Sequence, residues 1–240
     1  MKTLPSLRTA TRRIWFCLAL SSAQIAALAS SQVSAGATTW DVTADFSVDN
    51  GNPNGAWSYG WVDTSFATFT AFVNHDYTAH DVCPIWHSGF SLPNDQLPIY
   101  GVIWKNTSTP YVGVATGQLS LHPGANLEPC IARWTAPNDV SGPALVAGRF
   151  YPGDTGILSV AVRFNGVAEW SALDSGTFDL AFAVAPGDTI DFAVFGGYGW
   201  GNTPLEATVT IIPEPGSLMV VGMTGLLAAA ARSRSRPVKY

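Results

Sequence analysis

The chain has 240 residues, with 12 Lys and Arg against 17 Asp and Glu, and a net charge of −5. Between Gly36 and Ile212, sixteen acidic and four basic residues give a net charge of −12. This balance excludes nucleic acid as a partner, because a basic face is needed to displace the counterions of phosphates. The length is sufficient for one domain with a sizeable core.

The N-terminus has the pattern of a secretory leader. Basic residues between Lys2 and Arg13 precede the apolar run Ile14–Leu28. Val33-Ser34-Ala35 then offers the small residues that a signal peptidase reads. We therefore expect residues 1–35 to be a signal peptide, with signal peptidase as a processing partner, and the protein to be exported.

Two cysteines, Cys83 and Cys130, remain after the leader is removed. In an oxidising compartment an isolated pair of cysteines most often forms a disulfide. We expect a Cys83–Cys130 disulfide, closing a loop of about 47 residues and stabilising the fold by about 3–4.5 kcal/mol.

A dense turn, Asp49–Gly55, follows a predicted opening strand at 39–47. Asn50, Asn52 and Asn54 stand at the spacing of alternate calcium ligands. Trp61 occupies the twelfth position of that pattern, where a bidentate carboxylate is required. The segment is therefore interpreted as a turn, with calcium as the open alternative.

The remainder of residues 36–212 alternates short apolar segments with turn signals such as Pro152-Gly153 and Pro186-Gly187. Asn165-Gly166 is the strongest hairpin signal, because a type I′ turn needs positive φ at both central residues. About ten short strands and no amphipathic helix predict a single all-β domain, an antiparallel β-sandwich of jelly-roll type. The predicted strands are 57–61, 66–73, 100–104, 118–121, 131–135, 145–150, 158–164, 178–184, 190–195 and 207–212.

Three of the four histidines lie between Asn74 and His87. His75, His80 and either His87 or Asp81 have side chains suitable for zinc. Their spacing matches no compact zinc motif, so we interpret the segment as a solvated loop. No cofactor is predicted, and zinc remains the alternative here.

The domain carries no visible catalytic pattern. No nucleophile elbow is present. No pair of carboxylates is singled out for glycoside hydrolysis, because the separation that matters is through space. Asp188 is interpreted as a turn acceptor and Asp191 as an outward strand residue. The sequence therefore predicts a protein that is not an enzyme.

Tryptophans offer a different candidate site. An exposed aromatic ring can stack against the apolar side of a sugar ring, with nearby polar groups binding the hydroxyls. Trp57, Trp61, Trp86 and Trp200 lie in or near segments rich in Gly and Asn, and are the candidates for stacking. A place in the core is the alternative for each of them.

The C-terminal residues 213–240 change character. Pro213-Glu214-Pro215 ends the domain, because its prolines can continue neither a strand nor a helix. The uncharged run 217–231 spans roughly 22 Å as a helix, which is short against a hydrocarbon core of about 30 Å. Residues 232–239 form a basic end of the kind that stays on the cytoplasmic side. We expect transient insertion into the membrane.

The order of motif 213–215, apolar helix 217–231 and basic end closely resembles the PEP-CTERM sorting signal of Gram-negative bacteria. The resemblance implies processing by an exosortase-type protease, with Pro213, Glu214 and Pro215 as the sorting motif. It also implies delivery to the cell surface or to the extracellular matrix.

Segments of the body also resemble the β-sandwich that is frequent in secreted PEP-CTERM proteins. Among them are Asn52–Gly60, Leu121–Gly124 and Ala185–Phe192. That body type is similar to carbohydrate-binding sandwiches. The expected function is a non-enzymatic surface or matrix protein that binds carbohydrate or exopolysaccharide. The alternatives are a glycan-active hydrolase or lyase, and a purely structural matrix protein.

Overall fold

A computed structural model of the protein describes residues 37–91, 97–98, 100–154, 156–197 and 201–212. The expected signal peptide, the expected sorting signal and Trp200 lie outside the described residues. Residues Ala37–Ile212 belong to one compact unit. Within the described ranges, no helix has the length and apolar character needed to cross a membrane.

All regular structure in the described residues is β-strand, so the all-β prediction is confirmed. The segment 74–87 was expected to be a solvated loop, and this is wrong, because it forms a β-hairpin. The strands are β1 Thr38–Asp41, β2 Trp57–Val62, β3 Phe69–Ala71, β4 Asn74–Ala79, β5 Cys83–His87, β6 Phe90–Ser91, β7 Leu97–Pro98, β8 Gly101–Lys105, β9 Leu119–Pro123, β10 Cys130–Thr135, β11 Gly142–Phe150, β12 Ser159–Phe164, β13 Val167–Leu173, β14 Gly176–Val184, β15 Thr189–Phe195 and β16 Thr203–Ile211.

Two antiparallel sheets form a sandwich. The larger sheet has the order β14-β11-β16-β9-β8-β5-β4, and β1 also pairs with β16. The smaller sheet has the order β13-β12-β15-β10-β2-β3, while β6 and β7 form a separate ribbon. One core cluster contains Trp57 and Phe192 of the smaller sheet together with Leu121 and Phe150 of the larger sheet. The main core therefore lies between the sheets.

The last eight strands have the winding of a jelly roll. β9 pairs with β16, β10 with β15, β11 with β14, and β12 with β13. These nested pairs fall alternately in the larger and the smaller sheet, as in a double-sheet jelly roll of eight strands. The earlier strands extend the sheets on one side, with β8, β5 and β4 beyond β9 and β2 and β3 beyond β10.

Alternation of side chains decides which face of each strand is apolar. In β11, Val146 and Phe150 are buried, whereas Leu145 and Arg149 are exposed. Successive side chains of a strand point to opposite faces, so Val146 and Phe150 face the core and Arg149 faces outward. The outward face of β11 and its neighbours in the larger sheet is therefore available for a polar site.

The predicted Cys83–Cys130 disulfide is wrong, because both residues are buried free cysteines. The Cys83 thiol lies 3.6 Å from Asn106 Oδ1, and the Cys130 thiol donates to the Val102 carbonyl at 3.2 Å. Val102 and Asn106 are four positions apart along the chain, which is about 13 Å in extended backbone. The two cysteines therefore lie against points of the chain that are far apart. A disulfide needs Cα atoms within about 4.4–6.8 Å. Burial also raises the pKa of the Cys130 thiol, which disfavours the reactive thiolate.

Candidate functional site

The structure places the described candidate tryptophans largely inside the protein. Trp57 is fully buried, and its indole N–H donates to Asp45 Oδ2 at 3.1 Å. Trp86 is 3% exposed. The expectation of exposed rings is therefore wrong for Trp57 and Trp86, because both face the core between the sheets. Trp61 is half-buried and stacks on Tyr100, with ring centroids 4.2 Å apart.

The histidines of the β4–β5 hairpin point in different directions. His75 lies against an indole ring of β5, with centroids 4.8 Å apart. The Nε2 atom of His87 is 3.2 Å from Asp76 Oδ2, while His80 stacks on a tyrosine ring outside the hairpin. Asp81 is an exposed residue of the turn. The described residues contain no group of three His, Cys, Asp or Glu side chains that could hold a metal ion.

The asparagine-rich turn is tied to the neighbouring strands. Asn52 Nδ2 donates to the carbonyls of Tyr59 and Phe72 at 2.7 and 2.9 Å, and Asn52 Oδ1 accepts the Tyr59 N–H at 2.8 Å. Asn54 Nδ2 donates to the Asp45 carbonyl at 2.6 Å. These two side chains serve as structural links that close the turn, which supports its interpretation from the sequence.

The two carboxylates interpreted from the sequence have distinct structural roles. Asp188 accepts the N–H of Ala185 at 2.7 Å and an amide hydrogen of Asn165 at 3.0 Å, so its role as a turn acceptor is confirmed. Asp191 accepts two hydrogen bonds from Arg133, at 2.7 and 2.8 Å. It is only 3% exposed, because aromatic residues cover this outer face of the smaller sheet.

A groove on the outer face of the larger sheet collects polar side chains from β1, β11 and β16. Ala147 pairs with Thr208, which pairs in turn with Asp41, so the three form one row across three strands. Arg149 and Glu206 are paired in the next row. The groove has a volume of about 540 Å³, within the range of small-molecule sites. This outer groove is lined by Asp41, Thr43, Ala44, Ala147, Gly148, Arg149, Glu206, Ala207 and Thr208.

One wall of the outer groove is held by a tyrosine. The Tyr151 hydroxyl donates to Glu206 Oε2 at 2.6 Å, and the Arg149 guanidinium lies 4.8 Å from the centroid of the Tyr151 ring. The hydrogen bond to Glu206 raises the pKa of Tyr151. Tyr151 therefore positions both a carboxylate and a guanidinium at the groove.

The opposite wall is fixed by hydrogen bonds from backbone N–H groups to two carboxylates. Asp41 Oδ1 accepts the N–H groups of Thr43 and Ala44 at 2.8 and 2.9 Å. The N–H of Asp41 itself donates to Asp45 Oδ2 at 3.0 Å. The chain therefore turns sharply after β1, and this turn places Thr43 beside the exposed face of β16.

Sequence reasoning missed the outer groove. The available signal was alternation, since Arg149 and Tyr151 flank the buried Phe150, and Glu206 and Thr208 flank the buried Ala207. Alternation indicates that each pair shares a face of its own strand. It does not indicate that β11 pairs with β16, because the two strands are far apart in the chain.

Neither a family model nor a curated protein sequence matches this chain. Among solved structures, the chain is similar to a family 35 carbohydrate binding module from Clostridium thermocellum, with 14% identity over 45% of this chain and 90% of that chain and a TM-score of 0.30. CBM35 from Cellvibrio japonicus Abf62 shares 14% identity over 47% of this chain and 86% of that chain, with a TM-score of 0.29. The enzymatically active domain of bacteriophage CBA120 tailspike protein 4 shares 16% identity over 71% of this chain and 22% of that chain, with a TM-score of 0.27. Likenesses at such TM-scores carry no argument about function.

Proposed function

We propose that this protein is an exported surface or matrix protein that binds a neutral polysaccharide in the outer groove. The observation that carries the proposal is the composition of that groove. Sugar hydroxyls both donate and accept hydrogen bonds, so a glycan site needs both kinds of partner. Arg149 supplies donors, Asp41 and Glu206 supply acceptors, and the Thr208 hydroxyl can do either.

The floor of the outer groove supports the same proposal. Ala147 leaves space between Asp179 on β14 and Thr208 on β16, which are its partners in the two adjacent strands. The methyl groups of Ala44 and Ala147 give the groove apolar surface between its polar walls. A pyranose ring has the same division, with apolar C–H faces and polar hydroxyl edges.

The test compares two alanine-to-tryptophan variants for retention on a panel of insoluble polysaccharides, including the matrix of the host. Ala147→Trp fills the outer groove and should reduce retention at least tenfold. Ala183→Trp places the same ring on an exposed outward position of β14, away from the groove, and should be retained like the wild type. Circular dichroism establishes that both variants are folded. The proposal fails if the wild type is retained on no polysaccharide, or if both variants bind equally well.

A glycan-active hydrolase is the second candidate, and one observation favours it. Because Asp41 pairs with Thr208, Asp41 and Glu206 are diagonal neighbours on adjacent strands, with Cα atoms about 7–8 Å apart. A glycosidase needs two carboxylates on one face of its site, and the separation of their carboxyl groups decides between a retaining and an inverting reaction. Release of soluble sugar from a retained polysaccharide by the wild type, with none released by Glu206→Gln, would favour the enzyme over the binding protein.

The proposed export and sorting rest on the resemblance of residues 213–240 to a PEP-CTERM signal. An exosortase-type protease would remove the tail after transient insertion of the apolar run 217–231 into the membrane. We expect the mass of the protein recovered from the cell surface to lack both residues 1–35 and residues 232–240. Retention of the basic end in that protein would contradict the processing.

A further inference from the structure

Two tight turns meet through a pair of aromatic rings at one end of the larger sheet. The first turn joins β4 to β5 and contains His80 and Asp81, and the second lies between β8 and β9 and contains Tyr111 and Val112. The rings of His80 and Tyr111 are 4.1 Å apart and only 8° from parallel. The two turns thus form one surface feature, which we call the His80–Tyr111 stack.

The backbone around this stack is strained. His80, Asp81 and Val112 have φ angles of 46°, 66° and 41°. Positive φ is uncommon outside glycine, and for a β-branched residue such as Val112 it is a genuine outlier. Such conformations are energetically costly and persist where the surrounding structure determines them, often at ligand-binding positions.

The surrounding structure fixes Tyr111 firmly. The backbones of Tyr111 and Val114 exchange two hydrogen bonds, of 3.0 and 2.8 Å. Val114 is buried in a cluster with Ile85 and Trp104, on the outer face of β5 and β8, and Val112 packs against that cluster. The backbone of Tyr111 is therefore held in place by its neighbours on the larger sheet, while its ring is braced by His80.

Tyr111 still presents much of its ring to solvent. It is 47% exposed, although one face of its ring is covered by His80. Tyr77, on the adjacent β4, is 48% exposed, but its hydroxyl donates to both carboxylate oxygens of Asp49 at 2.7 Å. The two tyrosines are almost equally exposed. They differ in that the Tyr111 ring is braced by a parallel ring, whereas the Tyr77 hydroxyl is bonded to a carboxylate.

We propose that Tyr111, braced by His80, is a second glycan site, at which a pyranose unit of the bound polysaccharide stacks on the open face of the tyrosine ring. An aromatic ring held rigidly offers contact area at low entropic cost. The exposed Asp81 carboxylate in the same turn can accept hydrogen bonds from the sugar hydroxyls. This inference rests on the proposed function and adds a second point of contact for the same polymer.

The position of the stack suits a polymeric ligand. Its two turns border β5 and β8, while the outer groove includes β16, and β5 lies three strands from β16 in the larger sheet. At a strand spacing of about 4.8 Å, this is a lateral separation of about 14 Å. A polysaccharide that reaches both sites binds with an avidity that can exceed the affinity of either site by about 10²–10⁴-fold.

The experiment compares Tyr111→Ala with the matched control Tyr77→Ala, using the polysaccharide panel that tests the outer groove. Tyr111→Ala should weaken retention at least tenfold, Tyr77→Ala should bind like the wild type, and Tyr111→Trp should restore retention. Equal retention of Tyr111→Ala and wild type would overturn the proposal. Loss of retention in Tyr77→Ala as well would also overturn it.

A second measurement separates this site from the outer groove. Cellohexaose, maltohexaose and laminarihexaose are titrated into the full mature protein while the NMR signals of the Tyr111 ring and the Ala147 methyl group are followed. We expect at least one hexaose to shift both signals, and Tyr111→Ala to leave the Ala147 shift intact. A shift at Tyr111 alone would retain the stacking site and reject the groove. No shift at Tyr111 with any hexaose, whatever happens at Ala147, would reject the stacking site.

Discussion

Replacing Asp191 with alanine should lower the free energy of unfolding by about 3 kcal/mol, because removing one partner of a buried ion pair leaves the other charge uncompensated. Asp191 accepts two hydrogen bonds from Arg133, at 2.7 and 2.8 Å, in a bidentate arrangement. The side chain of Asp191 is 5% exposed and that of Arg133 is 22% exposed. The partial exposure of Arg133 places the expected loss at the lower end of the 3–5 kcal/mol range for buried pairs.

Urea unfolding followed by circular dichroism measures this loss, and a double-mutant cycle assigns it to the pair. Arg133→Met keeps an apolar side chain near Phe69, whose ring lies 4.2 Å from the guanidinium carbon. The double variant should be less destabilised than the sum of the single variants, because neither charge is then left alone. Asp179→Ala, at an exposed position of β14, is the control and should change stability by less than about 0.5 kcal/mol. Strict additivity of the two single variants would refute the coupling.

Much of the fold could be predicted from the sequence, because local alternation and turn chemistry agree with the structure. The hairpin at Asn165-Gly166 is confirmed, with φ angles of 47° and 81° at its two central residues. The hairpin β4–β5 was missed because β4 is an edge strand whose residues are mostly exposed. An exposed edge strand needs no apolar face, so it shows no alternation of apolar and polar residues.

The candidate site was less predictable, because its residues meet only through long-range pairing. Arg149 and Glu206 face each other across β11 and β16, and no local pattern in either strand indicates this. The disulfide prediction failed for a related reason. The redox state of a compartment favours or disfavours disulfides in general, but it does not determine the distance between Cys83 and Cys130.

The tryptophan prediction failed at Trp57 because flanking Gly and Asn residues were taken to indicate exposure. In the structure those flanks form the turn that leads into β2, and one face of β2 packs against the core. Alternation in β2 places Trp57 and Tyr59 on the same face. The burial of that face follows from the larger sheet, which packs against it and is assembled mostly from later parts of the chain.

Trp57→Ala should therefore lower the free energy of unfolding by about 3–5 kcal/mol, the range for truncation of a large buried aromatic side chain. Trp57 is fully buried, and its ring centroid lies 6.0 Å from that of Phe192 on β15, with β10 between β2 and β15 in the smaller sheet. The truncation also removes the indole N–H that donates to Asp45 Oδ2 at 3.1 Å. Urea unfolding of the mature protein measures the effect.

Trp57→Phe keeps most of the apolar contact and separates a packing role from a ligand role. It should lose about 1–3 kcal/mol, because the smaller ring leaves core space unfilled and the hydrogen bond to Asp45 Oδ2 is lost, although that oxygen keeps the N–H of Asp41. Under conditions where Trp57→Phe is folded, its retention on polysaccharide should equal that of the wild type, because the ring does not reach solvent. Unchanged stability combined with lost retention would instead show that Trp57 contacts the ligand, and would require β2 to open in the bound protein. Retained binding with reduced stability would place the residue in the core alone.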